Sequence, residues 1–308
     1  MRAAALLVAA ACLGLLAGCG AAKQSASATQ PAPGPKPKPP TLPRLTFGYD
    51  AAQPLDFIDR GVVGRQGSLT IHDIVYVASG ESVEGYLVER AGRRRLPAVV
   101  LVHGSGSDRR ELLGDAVAFA QLGGVALTIT EPSDAHPPPA AKGARALLFQ
   151  SRAITVRNVV AIRRAADLLA SLPTVDRRRL GYLGWSAGAK AGTYIAASDA
   201  RFKALALLSA GADELSNFVA AAPPPIQPQV RLVLGSVDPL RYIGFARPGS
   251  LLLEDGTKDR VVPHEGLLNM IHAAPRGTVV RWYAGGHALV PKAWRDALDW
   301  LLKQLRAS

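Results

Sequence analysis

From Pro97 to Leu305 short apolar runs alternate with longer segments whose apolar residues recur at helical spacing. This alternation constrains the fold more than any single motif does. A strand, a covering helix and a second strand make one βαβ unit, and successive units stack only as a mostly parallel sheet with helices on both faces. The run at 97–102 (PAVVLV) is continuously apolar, as a strand buried on both faces must be. The pattern then predicts a helix over 111–121, a strand over 124–130 and an amphipathic helix over 152–172. That helix directs Ile154, Val159, Val160 and either Ile162 or Ala166 to the sheet. A strand over 179–184 leads into a helix over 187–197, and further strands follow at 202–208, 250–254 and 278–284 before a closing helix over 292–305. Upstream, 70–78 and 83–89 are rich in strand formers and flank Ser79-Gly80-Glu81, which predicts an antiparallel N-terminal hairpin.

Residues 211–248 break the rhythm, with Pro223-Pro224-Pro225, the apolar run 230–234 and Asp238-Pro239. Two readings stand. The segment forms a lid or pocket wall in which Phe218, Leu240 and Tyr242 contact a substrate, or its apolar run is core packing. Asp238 reads as a helix-opening residue.

The first eighteen residues have the form of an export signal: Arg2 in a short basic start, an apolar stretch from Ala3 to Leu15, and small residues at its end. The stretch is shorter than the roughly 20 residues that a membrane-spanning helix needs. Leu16-Ala17-Gly18-Cys19 resembles a bacterial lipobox. The resemblance implies cleavage before Cys19 and acylation of that cysteine, several acyl chains giving an anchoring that one chain cannot. Residues 19–43, with prolines at 31, 33, 35, 37, 39, 40 and 43, read as an extended tether, and 44–308 as one domain of about 265 residues. Cys12 lies in the signal, so cleavage leaves no disulfide and no cysteine metal site.

The net charge is +12, with arginine clusters at 93–95, 163–164 and 177–179. They read either as a solvated, arginine-rich face or as attraction to an anionic envelope surface. No nucleic-acid-binding module is legible, and no His-Glu-x-x-His or similar spacing points to a metal.

Gly184-Trp185-Ser186-Ala187-Gly188 falls where a strand meets a helix. A serine at the tip of such a turn needs tiny neighbours two positions away, and both are glycine. By itself a Gly-x-Ser-x-Gly match is weak, expected by chance on the order of ~0.2 times in a chain this long and glycine-rich. Serine attack on an acyl group also requires a base, a carboxylate to orient it and backbone donors for the oxyanion. In a parallel sheet all four belong at the carboxyl ends of strands. His287, in Gly285-Gly286-His287 after the last strand, is the base candidate. Asp259 is the carboxylate candidate, with Glu254 and Asp255 as rivals at the same strand end, and the order Ser, Asp, His fits this architecture. His103-Gly104-Ser105-Gly106 is the oxyanion-loop candidate, whose donors would be the amides of Ser105 and Ala187. Arg109 and Arg110 beside it are either surface charges or attractors of an anionic substrate. Trp185 carries no catalytic reading.

Together His-Gly-Ser-Gly, Gly-Trp-Ser-Ala-Gly, Gly-Thr-Lys-Asp-Arg-Val-Val-Pro and Gly-Gly-His-Ala resemble the α/β-hydrolase superfamily, nearest its dienelactone-hydrolase-like and acyl-aminopeptidase-like esterase branch. The resemblance covers residues 70–305. It implies an α/β-hydrolase fold and a serine hydrolase of carboxylic esters, needing no cofactor. Dienelactone hydrolases have cysteine where Ser186 stands, so lactone specificity is not carried over. The expectation is an extracytoplasmic, lipid-anchored esterase with Ser186, Asp259 and His287 as its triad. Its partners would be a small acyl ester and, through Cys19, a membrane. An acyltransferase using the same residues, a peptidase and a non-catalytic envelope-binding protein are the alternatives.

Overall fold

The computed structural model describes residues 47–92 and 94–307. The export signal, Cys19 and the tether lie outside them, as does Arg93. Nine strands form one sheet: β1 (Ile58–Gln66), β2 (Leu69–Ala78), β3 (Glu81–Arg90), β4 (Leu96–Val102), β5 (Val125–Ile129), β6 (Val175–Trp185), β7 (Phe202–Leu208), β8 (Leu251–Gly256) and β9 (Val279–Tyr283). Their order is β1-β2-β3-β5-β4-β6-β7-β8-β9. Pairings from β1 to β5 through β3 are antiparallel, and every pairing from β5 to β9 is parallel. The expected hairpin is β2–β3, and the parallel sheet is present as the alternation implied.

β1 is a difference. Its residues (IDRGVVGRQ) are mostly exposed, and two register shifts break its pairing with β2. An edge strand with one covered side needs no apolar run, so the sequence carried no signal for it.

The helices are α1 (Leu113–Gln121), the short α2 (Pro132–Ala135), α3 (Ala144–Ser171), α4 (Ala187–Ser198), α5 (Leu215–Ala221), α6 (Gln227–Gly235), α7 (Pro239–Ile243), α8 (His264–Ala273) and α9 (Pro291–Ala307). α3 begins eight residues earlier than the pattern predicts, because its first two turns are largely exposed and show no buried stripe. Ala98 to Val102 are wholly buried, so both faces of β4 are covered. On one face α9 lays Ala297, Leu298, Leu301, Leu302 and Leu305 against α1 and the sheet. Each large apolar side chain buried in this way contributes roughly 1.5–3 kcal/mol before entropy is set against it.

Residues 211–248 hold α5, α6 and α7, joined by turns. Val230 and Val233 of α6 are buried while Leu232 is exposed, so the apolar run packs as one face of a helix. Tyr242 is 2% exposed, packs on Phe47 and Tyr194, and donates to the Ser236 carbonyl, which removes it from any substrate-contacting wall. Asp238 does open α7, its carboxylate accepting from the Leu240 amide at 3.0 Å.

Arg164 is buried and belongs to neither reading of the arginine clusters. Its guanidinium donates to Asp167 and to the carbonyls of Gln53 and Pro54, and Arg163 donates to the carbonyl of Phe47. These arginines tie the first described segment to α3.

Candidate active site

The carboxyl ends of β4, β6, β8 and β9 converge at Ser186. β6 delivers the serine at its tip, with φ +55° and ψ −112°, a left-handed conformation that costs a non-glycine residue on the order of ~1–3 kcal/mol. The turn is over-determined by its surroundings. Ser186 N–H donates to the Leu208 carbonyl, Gly188 N–H to that of His103, and Lys190 N–H to that of Ser186. A Cβ on Gly188 would lie 2.3 Å from the Val102 carbonyl oxygen, and one on Gly184 would lie 2.4 Å from that of Gly188. The two glycines are there because backbone passes where side chains would be. Buried Tyr182 adds a 2.6 Å hydrogen bond to the Gly188 carbonyl.

Ser186 Oγ is 2.8 Å from His287 Nε2, and His287 Nδ1 is 2.8 Å from Asp259 Oδ2. A carboxylate only accepts, so it selects the tautomer with the proton on Nδ1 and leaves Nε2 to receive the serine proton. The other Asp259 oxygen accepts from the amides of Val261 and Val262 at 2.8 and 3.0 Å. The carboxylate is therefore fixed on both oxygens, and its side chain is 1% exposed.

The rival carboxylates are otherwise placed. Glu254 bonds Arg281 and Tyr283 on the opposite face of β8, and burial pushes its pKa up to about 7. Asp255 is 1% exposed with neither oxygen hydrogen-bonded, and burial, then the charges of Asp259 and Glu254, push it up to about 8.

The loop after β4 presents the second half of the site. Gly104 N–H donates to Glu111, and Gly106 N–H donates to Asp134. Between them the Ser105 amide has no acceptor among the described residues, and neither has the Ala187 amide at the start of α4. Flanking amides that are all engaged, around two that are free, suit a pair of oxyanion donors. His103 is buried. Its Nε2 accepts from the Glu131 amide, which puts the proton on Nδ1, and that proton goes to the Gly104 carbonyl. Arg109 is bound to Asp73 and stacked on Tyr86, and Arg110 is paired with Asp108. Neither arginine is free to attract a substrate.

Two contributors escaped the sequence reading. Trp185 Nε1 donates to the His287 carbonyl at 2.9 Å, and Ser209 Oγ donates to the same oxygen at 2.8 Å. The Trp185 ring also lies 5.3 Å from the imidazole and would be struck by a Cβ on Gly104. Among the described residues no cluster of three or more His, Cys, Asp or Glu side chains could hold a metal ion.

No family model matches the chain, and no curated protein does. Solved structures do. Acetyl xylan esterase 1 from Thermoanaerobacterium sp. JW/SL YS485 superposes with a TM-score of 0.67 at 15% identity, over 82% of this chain and 88% of its own. The acetyl xylan esterase from Paenibacillus sp. R4 gives 0.66 at 19% identity, over 82% and 90%. A cold-adapted esterase from an Arctic intertidal metagenomic library gives 0.60 at 17%, over 78% and 96%. Identities this low establish architecture: the chain has the α/β-hydrolase fold.

Proposed function

We propose that this chain is a serine hydrolase of carboxylic esters, exported and anchored by lipid on Cys19. The observation that carries the catalytic part is the continuous hydrogen-bonded line from Ser186 through His287 to Asp259, with the serine on a strained turn beside two unengaged amides. The esterase names of the solved structures sharing its architecture support the ester class. The anchor rests on the lipobox resemblance of residues 16–19 alone.

In this reading Ser186 Oγ attacks the acyl carbon as His287 Nε2 takes its proton. Asp259 holds the imidazole in the required tautomer and stabilises the imidazolium that forms. Charge developing on the carbonyl oxygen falls between the Ser105 and Ala187 amides. The imidazolium returns its proton to the leaving alcohol, leaving an acyl-serine. Water, deprotonated by His287, then releases the acid.

A panel of p-nitrophenyl esters of increasing acyl length, with the Ser186→Ala variant alongside, tests this. Turnover of at least one ester, lost in the variant, is expected. Equal turnover by the variant would place the chemistry elsewhere.

A further inference from the structure

Parallel strands all start at one end of a sheet, so the starts of β4, β6, β7, β8 and β9 line the end opposite Ser186. That end is basic. Arg94 and Arg95 are exposed just before β4, and Arg276 is exposed just before β9. Lys203 stands at the start of β7, and exposed Arg247, ahead of β8, donates to its carbonyl. β6 adds a bulge. Leu96 pairs with Val175 but Ala98 with Leu180, so two steps along β4 face five along β6, and the surplus carries Arg177 and Arg178 into solvent. Neighbouring strands lie about 4.8 Å apart, so from β4 to β9 these cations extend along about 20 Å.

Much of this charge is not used within the protein. Among the described residues the side chains of Arg94, Arg177, Arg178 and Arg276 have no hydrogen-bond or ion-pair partner. The nearby buried and half-buried acids are taken: Asp176 by Arg179, Asp167 by Arg164 and Arg201, and Asp199 by Arg163 and Arg201. Exposed Asp50 and Asp299 make no ion pair among the described residues, and two carboxylates do not balance the row. The segment that leads in from Cys19 reaches the fold beside this end, where the Tyr49 hydroxyl bonds Asp167 and Arg201, and Arg201 directly precedes β7.

We propose that this basic end docks the domain on anionic phospholipid headgroups, with Ser186 facing away from the bilayer. A row of uncommitted guanidiniums suits a plane of phosphates. The choice of a membrane over another polyanion rests on the anchor reading of Cys19, because a tether that reaches the fold here brings this end to the surface first. From Leu180 to Ser186 the strand rises about 20 Å. On the hydrolase reading of Ser186, the ester therefore comes from the aqueous side and not from the lipid beneath.

The full chain carrying Cys19→Ser, which removes any lipid, is sedimented with phosphatidylcholine vesicles with and without phosphatidylglycerol. It should prefer the anionic vesicles, and high salt should abolish the preference. Arg94→Gln, Arg177→Gln, Arg178→Gln and Arg276→Gln combined should weaken anionic binding by on the order of ~100-fold, a few-fold for each cation. The same charge removed elsewhere, by Lys142→Gln, Arg145→Gln, Arg231→Gln and Arg260→Gln, should change it by less than about threefold, since charges beyond a Debye length are screened. Residues 1–46 differ in none of these chains, so whatever they add cancels. A dye attached to Ser186 through a fluorophosphonate should escape a nitroxide carried on the headgroups.

Equal partition onto both vesicles overturns the proposal, and so does equal weakening by the two sets, which would make total charge the cause. Retention on immobilised polyphosphate without binding to phosphatidylglycerol would assign the row to a soluble polyanion and overturn it too. Quenching of the Ser186 dye by the nitroxide contradicts the orientation. The two readings beneath are tested separately. An unacylated Cys19 peptide from the parent chain removes the anchor, and an unlabelled Ser186 removes the hydrolase, while vesicle binding still decides the docking.

Discussion

The indole Nε1 of Trp185 donates to the carbonyl oxygen of His287 at 2.9 Å, so the residue preceding Ser186 holds the backbone of the histidine hydrogen-bonded to that serine. Trp185→Phe keeps the ring and removes the donor, with Ser209 still bonded to the same oxygen. One neutral hydrogen bond is worth about 0.5–1.5 kcal/mol, so kcat should fall by about two- to tenfold. KM should change little, because the bond orients the base and does not touch substrate. A loss confined to KM would assign Trp185 to the pocket wall.

Gly188→Ala should prevent the elbow from closing. The added Cβ would lie 2.3 Å from the Val102 carbonyl, and a clash with backbone cannot be relieved by a rotamer change. Overpacking of this kind costs about 1–3 kcal/mol, and more where the clash is with backbone. Thermal unfolding should show a lower Tm, and whatever protein remains folded should be nearly inactive. Unchanged stability and rate would mean that the turn is looser than described.

Stability should fall as pH rises from about 5 to 9. Asp255 and Glu131 have folded pKa values raised to about 8. A carboxyl with a raised folded pKa binds its proton more tightly folded than unfolded, so its stabilising contribution is full below the unfolded value near 4. That contribution is lost as pH climbs through the folded value. Asp255→Asn removes one such proton, and the slope of unfolding free energy against pH should flatten by up to about 1.4 kcal/mol per pH unit. Urea titrations at pH 5, 7 and 9 measure it, and an unaltered slope would exclude Asp255 as a linked group.

Arg164→Met should loosen the segment preceding β1. The guanidinium donates to the carbonyls of Gln53 and Pro54, half-buried bonds that hold an otherwise exposed stretch. Losing each such bond costs about 0.5–1.5 kcal/mol. Limited proteolysis should cut near residues 47–56 sooner than in the parent protein, while any turnover that depends on Ser186 is kept because that residue is remote. Equal protection would show that the Phe47–Tyr194–Tyr242 cluster alone retains the segment.

The sequence made the parallel core legible because the stretches 98–102, 125–129, 180–184, 204–208 and 251–253 are buried and carry almost only apolar residues and glycine. Ser186, Asp259 and His287 were legible for a different reason: each follows an apolar strand and sits among small residues or turn formers. What stayed hidden depends on long-range contacts. Ser209 meets His287 across 78 positions and Trp185 meets it across 102, and no local pattern encodes either meeting. β1 was hidden because an exposed edge carries no apolar alternation.

Everything proposed for catalysis depends on Ser186 being an activated nucleophile. Intact protein treated with a fluorophosphonate and analysed by peptide mass mapping tests it most directly. One adduct is expected, located on Ser186, absent from Ser186→Ala and formed far more slowly in His287→Gln. A folded protein that takes no label, or takes it on another serine, would contradict it.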